Sequence, residues 1–212
     1  MEPRKVLVLA TAFAAFLIFS GGAAYQFFRE PNSVVIETKG YPTLGKARAK
    51  VEIVVIEDFR CYHCREFSKK VFPQIRERYI DPGKARYTVV PVAFLPGSKP
   101  IANAALEVNK RAPDRFFLYL HEIFLHSQEK AISEKKLLEM AQKVGGIDLV
   151  QLKACMETHC HYDELNKNLE WAKSITEKNF VTPAVYVNGI PTSSLSFPAI
   201  QERIDQILKE KS

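Results

Sequence analysis

The four cysteines of this chain are the side chains best suited to covalent chemistry, and their spacing sorts them into two pairs. Cys61-Tyr62-His63-Cys64 sets two thiols one helical turn apart, while Cys155 and Cys160 lie five apart beside His159 and His161. A CxxC alone fits either a dithiol/disulfide couple or half of a zinc site. Its setting decides. It follows the β-branched apolar run Ile53-Val54-Val55-Ile56 and the residues Glu57-Asp58-Phe59, which together read as a buried central strand. Phe67, Val71 and Ile75 then recur every four residues, as one face of a helix does. A cysteine at a strand-to-helix junction meets helix N–H groups and a macrodipole that favour thiolate over thiol. Cys61 is therefore the expected nucleophile. Cys64 resolves the mixed disulfide through which exchange runs. His63 is placed to hydrogen-bond the Cys61 thiolate or, when protonated, to pair with it.

The second pair supports two readings. Cys155, Cys160, His159 and His161 form a cluster of metal-ligand types, and in an oxidising compartment the two cysteines form a structural disulfide. The disulfide is the plainer reading, with no metal. It carries a geometric condition: residues five apart in an unbroken helix are roughly 8–9 Å apart between Cα atoms, and a bridge needs less than about 7 Å. The helix that begins near Ile147 must then end at Glu157 to His159.

The N-terminal end bears on the compartment. Arg4 and Lys5 precede an uncharged run from Val6 to Phe28, long enough for the about 20 residues of a membrane span. Its dense part, Val6 to Phe19, also fits a signal-peptide core, with Gly22-Ala23-Ala24 as a cleavage site. Residues 1–28 are thus a signal peptide or a membrane anchor, and either exports the rest. Tyr25-Gln26-Phe27-Phe28 gives the run an aromatic interface end and favours an uncleaved anchor in the cytoplasmic membrane, with the soluble, cleaved form as the alternative. The formal charge is +6. Its lysines and arginines alternate with acids, as in Arg76-Glu77-Arg78, so solvated helix faces are the reading rather than a nucleic-acid surface.

Residues 29–48 read as a tether, with a short extended piece at Val34-Val35-Ile36, and 49–212 as one domain of ordinary size. After the CxxC helix, Asp81-Pro82-Gly83 marks a turn, and Arg86 to Leu95 is the next strand. Pro91 cannot donate to a ladder and must lie at an edge or a strand end. A long block with helical periodicity follows, broken at Pro113, Ser127, Gly145-Gly146 and His159 to His161. Phe116, Phe117, Phe124 and Trp171 are its expected core. Ala184 to Val187 returns as strand, Asn188-Gly189 as a hairpin turn, and Ile200, Ile204 and Ile207 line a last helix. The result is an α/β, thioredoxin-like fold: a core of 49–97 and 181–212 around a helical insertion at 98–180.

These motifs resemble the DsbA-like thiol-disulfide oxidoreductases, including membrane-tethered relatives of the BdbD type. The likeness rests on Asp58-Phe59-x-Cys61-x-x-Cys64 opening a helix, on the helical insert, and on Thr182-Pro183-Ala184-Val185-Tyr186-Val187-Asn188-Gly189. It implies that Pro183 is cis beside the reactive pair and that the Thr182 backbone pairs with a bound substrate strand. It further implies a monomer that oxidises folding exported proteins without a cofactor and is reoxidised by a quinone-linked membrane partner of DsbB type. A reductase or isomerase on the same fold is the nearest rival, and a zinc-binding envelope module a more distant one. Many relatives carry a buried acid six residues before the first cysteine. Here that position is Val55, and acids stand instead at Glu57 and Asp58.

Overall fold

The structure is a computed structural model and describes residues 33–129, 131–176 and 180–210. No helix among them is long and apolar enough to cross a membrane; the span expected within residues 6–28 lies outside the described residues.

A five-stranded sheet organises the domain, in the order β1-β3-β2-β4-β5. Its strands are β1 (Thr43–Gly45), β2 (Val51–Asp58), β3 (Ala85–Val92), β4 (Ala184–Val187) and β5 (Ile190–Pro191). β2 and β3 run parallel from Val51↔Ala85 to Asp58↔Val92, and β4 pairs antiparallel with β2. Continuous apolar sequence makes β2 a strand buried on both faces. Val51, Ile53 and Val55 pack into one core cluster, while Val54 and Ile56 pack into another with Val90, Val92 and Tyr186. Each such side chain contributes about 1.5–3 kcal/mol on burial.

The connection from β2 to β3 comprises α1 (Tyr62–Lys70), α2 (Phe72–Ile75) and a π-helical turn at Arg76–Ile80. Between β3 and β4 come α3 (Ser98–Arg111), a 3-10 turn at Pro113–Arg115, α4 (Phe116–His126), α5 (Glu134–Val144), α6 (Leu149–Thr158) and α7 (Tyr162–Ile175). Phe116 and Phe124 are buried in the larger cluster, whereas Trp171 packs half-buried against the opposite face of the sheet. α8 (Phe197–Glu210) closes the chain on Ile200, Ile204 and Ile207. Pro91 lies in a central strand, but β1 pairs only with residues 86–88 of β3. The strand edge is open at Pro91, whose carbonyl accepts from Asn168 Nδ2 at 2.9 Å.

The stretch read as a tether belongs to the fold from residue 34 onward. Thr43–Gly45 adds a strand to β3, and Val34 N–H donates to the Gly189 carbonyl at 2.8 Å. Val34 and Ile36 cover the smaller cluster. Three strand residues between Pro42 and Lys46 are too short a run for periodicity to reveal. Gly189, at φ 78, brings its Cα side so near the Val34 carbonyl that a Cβ would stand 2.2 Å from the oxygen, so the I′-type turn there requires glycine.

Candidate active site

β2 ends at Asp58, and its last residues build the site. The buried Asp58 carboxylate accepts from Arg60 N–H at 2.8 Å, Phe94 N–H at 2.9 Å and Leu95 N–H at 3.0 Å. Its carbonyl accepts from Cys61 N–H at 2.9 Å. One side chain thus ties the loop before the cysteines to the loop after β3. In the sequence Asp58 stands out as an acid and as the first residue of the Asp58-Phe59-x-Cys61-x-x-Cys64 motif, not as an anchor for loop N–H groups. The missed signal was an anionic residue at the very end of an apolar strand, where loop N–H groups need acceptors.

Cys61 is the N-cap of α1 (φ −69, ψ 125), and its carbonyl accepts from Arg65 N–H. Both Cys61 and Cys64 are free thiols, Cys61 with 8% of its surface exposed and Cys64 with none. The Cys61 S–H donates to the Thr182 carbonyl at 3.3 Å. Thr182 is buried, joined by a cis peptide bond to Pro183 directly before β4. Its hydroxyl has no hydrogen-bond partner among the described residues.

These surroundings push the two sulfurs in opposite directions. The Cys61 thiol is lowered to about 5: first by a hydrogen bond from the Cys64 thiol, then, against the burial that opposes ionisation, by the Thr182 side chain and the backbone N–H groups of Cys64 and His63. Cys64 is raised well above an ordinary thiol, foremost by burial, then by its bond to Cys61 and the charges of Glu57 and Cys61. Stabilising one thiolate through the other's S–H suits Cys61 to be the sulfur that attacks or leaves and keeps Cys64 a buried, protonated partner.

His63 reaches this centre through its backbone. Its ring is exposed and packs edge-on against Tyr62, with centroids 5.5 Å apart; its N–H is what supports the thiolate. The side-chain contact expected from sequence gives way to a main-chain one, because a residue in the first turn points its side chain outward while its N–H faces the cap.

Glu57 is 1% exposed and lies on the same face of β2 as Val55, one pleat nearer the cysteines. The Tyr87 hydroxyl donates to Oε1 at 3.3 Å, and Oε2 has no partner among the described residues. Burial raises this carboxyl to about 8, with the Cys61 charge adding to the rise and the Tyr87 hydrogen bond opposing it. Glu57 and Tyr87 face a cavity of about 590 Å³ lined also by Phe72, Phe117 and Phe124.

Cys155 and Cys160 are bridged, with Cα atoms 5.1 Å apart. α6 stops at Thr158, and His159 turns the chain at φ 54. The bridge lies in the helical insert and takes no part in the Cys61 site.

A reactive thiol at a helix cap, a buried partner one turn on and a cis-proline loop against the sulfur define a thiol-disulfide exchange centre on a thioredoxin-like fold. Residues 37–206 match the family model described as Thioredoxin. A Bacillus cereus protein named "Probable disulfide bond formation protein D" is 29% identical, over 99% of this chain and 100% of its own. Two solved structures superpose with TM-scores of 0.77: Chlamydia trachomatis DsbA (28% identity, 86% of this chain, 99% of that one) and oxidised BdbD from Bacillus subtilis (27%, 85% and 100%). The chain belongs to the thioredoxin family and, within it, to the DsbA-like protein-disulfide oxidoreductases.

Proposed function

We propose that this protein introduces disulfides into exported proteins through the Cys61–Cys64 couple. A substrate thiolate attacks Cys61 Sγ in the oxidised enzyme, a substrate–Cys61 disulfide forms, and the Cys61–Cys64 bond breaks with its electron pair on Cys64. A second substrate thiolate then attacks the substrate sulfur of that mixed disulfide. Cys61 leaves as a thiolate, the substrate departs oxidised, and the enzyme is left two electrons reduced. The observation that carries this reading is the opposite displacement of the two thiols. A stable thiolate at Cys61 is a good leaving group and favours the reduced enzyme, so the disulfide form oxidises.

Cys64 must gain a proton when it leaves and lose one on reoxidation. Glu57, on the acid-bearing face of β2 and raised toward neutrality, is the proton acceptor and donor in this scheme. Thr182 contributes its hydroxyl to the thiolate and its backbone to an incoming strand, and Pro183 shapes the loop beside Cys61. His63 contributes its N–H. Exposed Tyr62 opens α1 beside Cys61, and exposed Phe94 and Val181 lie on the loops after β3 and before β4, which suits an unfolded, partly apolar substrate. The structural bridge Cys155–Cys160 and the uncharged run at 6–28 support action on the extracytoplasmic side, tethered to the cytoplasmic membrane. There a quinone-linked partner of DsbB type would reoxidise the monomer. Mixing the oxidised chain with a reduced two-cysteine peptide tests the reading. One peptide disulfide should form for each Cys61–Cys64 pair reduced; persistence of both would refute it.

A further inference from the structure

The Cys155–Cys160 bridge sits among polar side chains that the redox reading leaves unused. Glu107 on α3 is 3% exposed and His161 at the start of α7 is 8% exposed. His161 Nε2 lies 2.9 Å from Glu107 Oε2, and Cys160 Sγ lies 3.7 Å from the same oxygen. The ligand atoms of Glu107, Cys155, Cys160 and His161 all fall within 4.8 Å of one another. We propose that two-electron reduction of this bridge converts the corner into a Cys2HisGlu site for a divalent zinc-type cation.

Tetrahedral zinc with bonds of about 2.0–2.3 Å sets its ligand atoms about 3.3–3.8 Å apart. The Glu107–His161 and Glu107–Cys160 separations already stand close to that range. Only the two sulfurs must move, and breaking their bond lets them part. The outer shell is also in place. His161 Nδ1 lies 3.2 Å from Glu164 Oε2, the carboxylate–histidine arrangement that fixes a metal-binding ring. Asn103 Nδ2 lies 3.6 Å from Cys155 Sγ, its Oδ1 accepts from His161 N–H, and Arg111 pairs with Glu107 Oε1. These contacts hold both sulfurs and both other ligands in one pocket and leave a cation, Arg111, against the excess negative charge.

The chemistry balances. Two molecules of a thiol reductant are oxidised to their disulfide as Cys155 and Cys160 become thiols. Binding M²⁺ then displaces both thiol protons to solvent. Exposed Cys160 gives the reductant access. A small-molecule disulfide, reduced to two thiols as Cys155 and Cys160 rejoin, ejects the cation and restores the bridge, so metal occupancy reports the thiol–disulfide balance of the surroundings.

The test uses the full chain carrying Cys61→Ala and Cys64→Ala, which leaves the second pair as the only thiols. The bridge is opened with a phosphine, which water converts to its oxide, and Co²⁺ is titrated in as the spectroscopic probe. The reduced chain should take up one Co²⁺ with thiolate charge-transfer bands and tetrahedral d–d bands, and Zn²⁺ should displace it; the bridged chain should take up none. His161→Ala should weaken binding more than about tenfold, at least the loss that removal of an outer-shell partner brings. A reduced, folded chain without cobalt bands, equal uptake by the bridged chain, or unchanged affinity in His161→Ala would each overturn the proposal. If reduction lowers helicity, cobalt must restore it, since binding energy at such a site is folding energy. Failure to do so would count equally against it.

Discussion

The displacement of Cys61 has a thermodynamic consequence that can be measured without substrate. Reducing Cys61–Cys64 while Cys155–Cys160 stays bridged creates a thiol near 5 in the folded protein, against about 8.5 in the unfolded chain. A group whose folded pKa is depressed contributes stability that is fully present above the unfolded value and is lost as pH falls through the folded one. The reduced form should therefore gain on the oxidised form from pH 4 upward. The gain is about 1.4 kcal/mol per pH unit above pH 5, or about 2.7 kcal/mol by pH 7. Glu57 works in the opposite direction: its raised carboxyl makes both redox forms lose stability as pH climbs toward 8. Burial is the main cause of the rise and does not depend on the Cys61–Cys64 bond, so this loss largely cancels when one form is subtracted from the other. The assay is denaturant unfolding of oxidised and selectively reduced chains from pH 4 to 8, with a count of two free thiols confirming the reduced sample. A difference that stays flat over this range, or one in which the oxidised form gains, would refute the electrostatic account of the site.

Cys64→Ser should accumulate mixed disulfides with exported proteins on non-reducing gels, whereas Cys61→Ser should accumulate none; equal trapping would contradict the assigned roles. Asp58→Ala removes the shared acceptor of three part-buried hydrogen bonds, from Arg60, Phe94 and Leu95 N–H, and should lower unfolding stability by about 3 kcal/mol, with a reactive loop more open to hydrogen exchange. Glu57→Gln should remove the limb near pH 8 from the pH–rate profile of thiol exchange without abolishing folding, and an unchanged profile would exclude Glu57 as the proton acceptor. His63→Ala should leave the thiolate titration of Cys61 nearly in place, because the supporting group is a backbone N–H that alanine retains.

Much of this architecture was legible in the chain because each central element carries a single dominant signal. The run at 53–56 is apolar without a break and can only be buried, and the Asn188-Gly189 pair admits few turns. Bridging Cys155 to Cys160 demanded a helix end near 158, and α6 stops at Thr158. What escaped notice depends on the third dimension. β1 is three residues long and becomes visible only through its pairing with β3. The position six residues before Cys61 holds Val55 rather than an acid; the buried Glu57 stands on the same face of β2 two residues later, since alternate residues share a face. Asp58 and Asn103 act through backbone groups on distant segments, contacts that leave no mark on local periodicity. Glu107 reads as one more charged residue of an amphipathic helix, and only the packing of α3 against the corner between α6 and α7 brings it to His161.

The central claim is that the environment of Cys61 makes the Cys61–Cys64 disulfide an oxidant. Its most direct test is the equilibrium between this pair and a glutathione redox buffer at pH 7, with Cys155–Cys160 kept bridged. A reduction potential above about −180 mV, in the range of oxidising members rather than thioredoxin, is the predicted result. A value near about −270 mV would place the pair with the reductases and contradict the account.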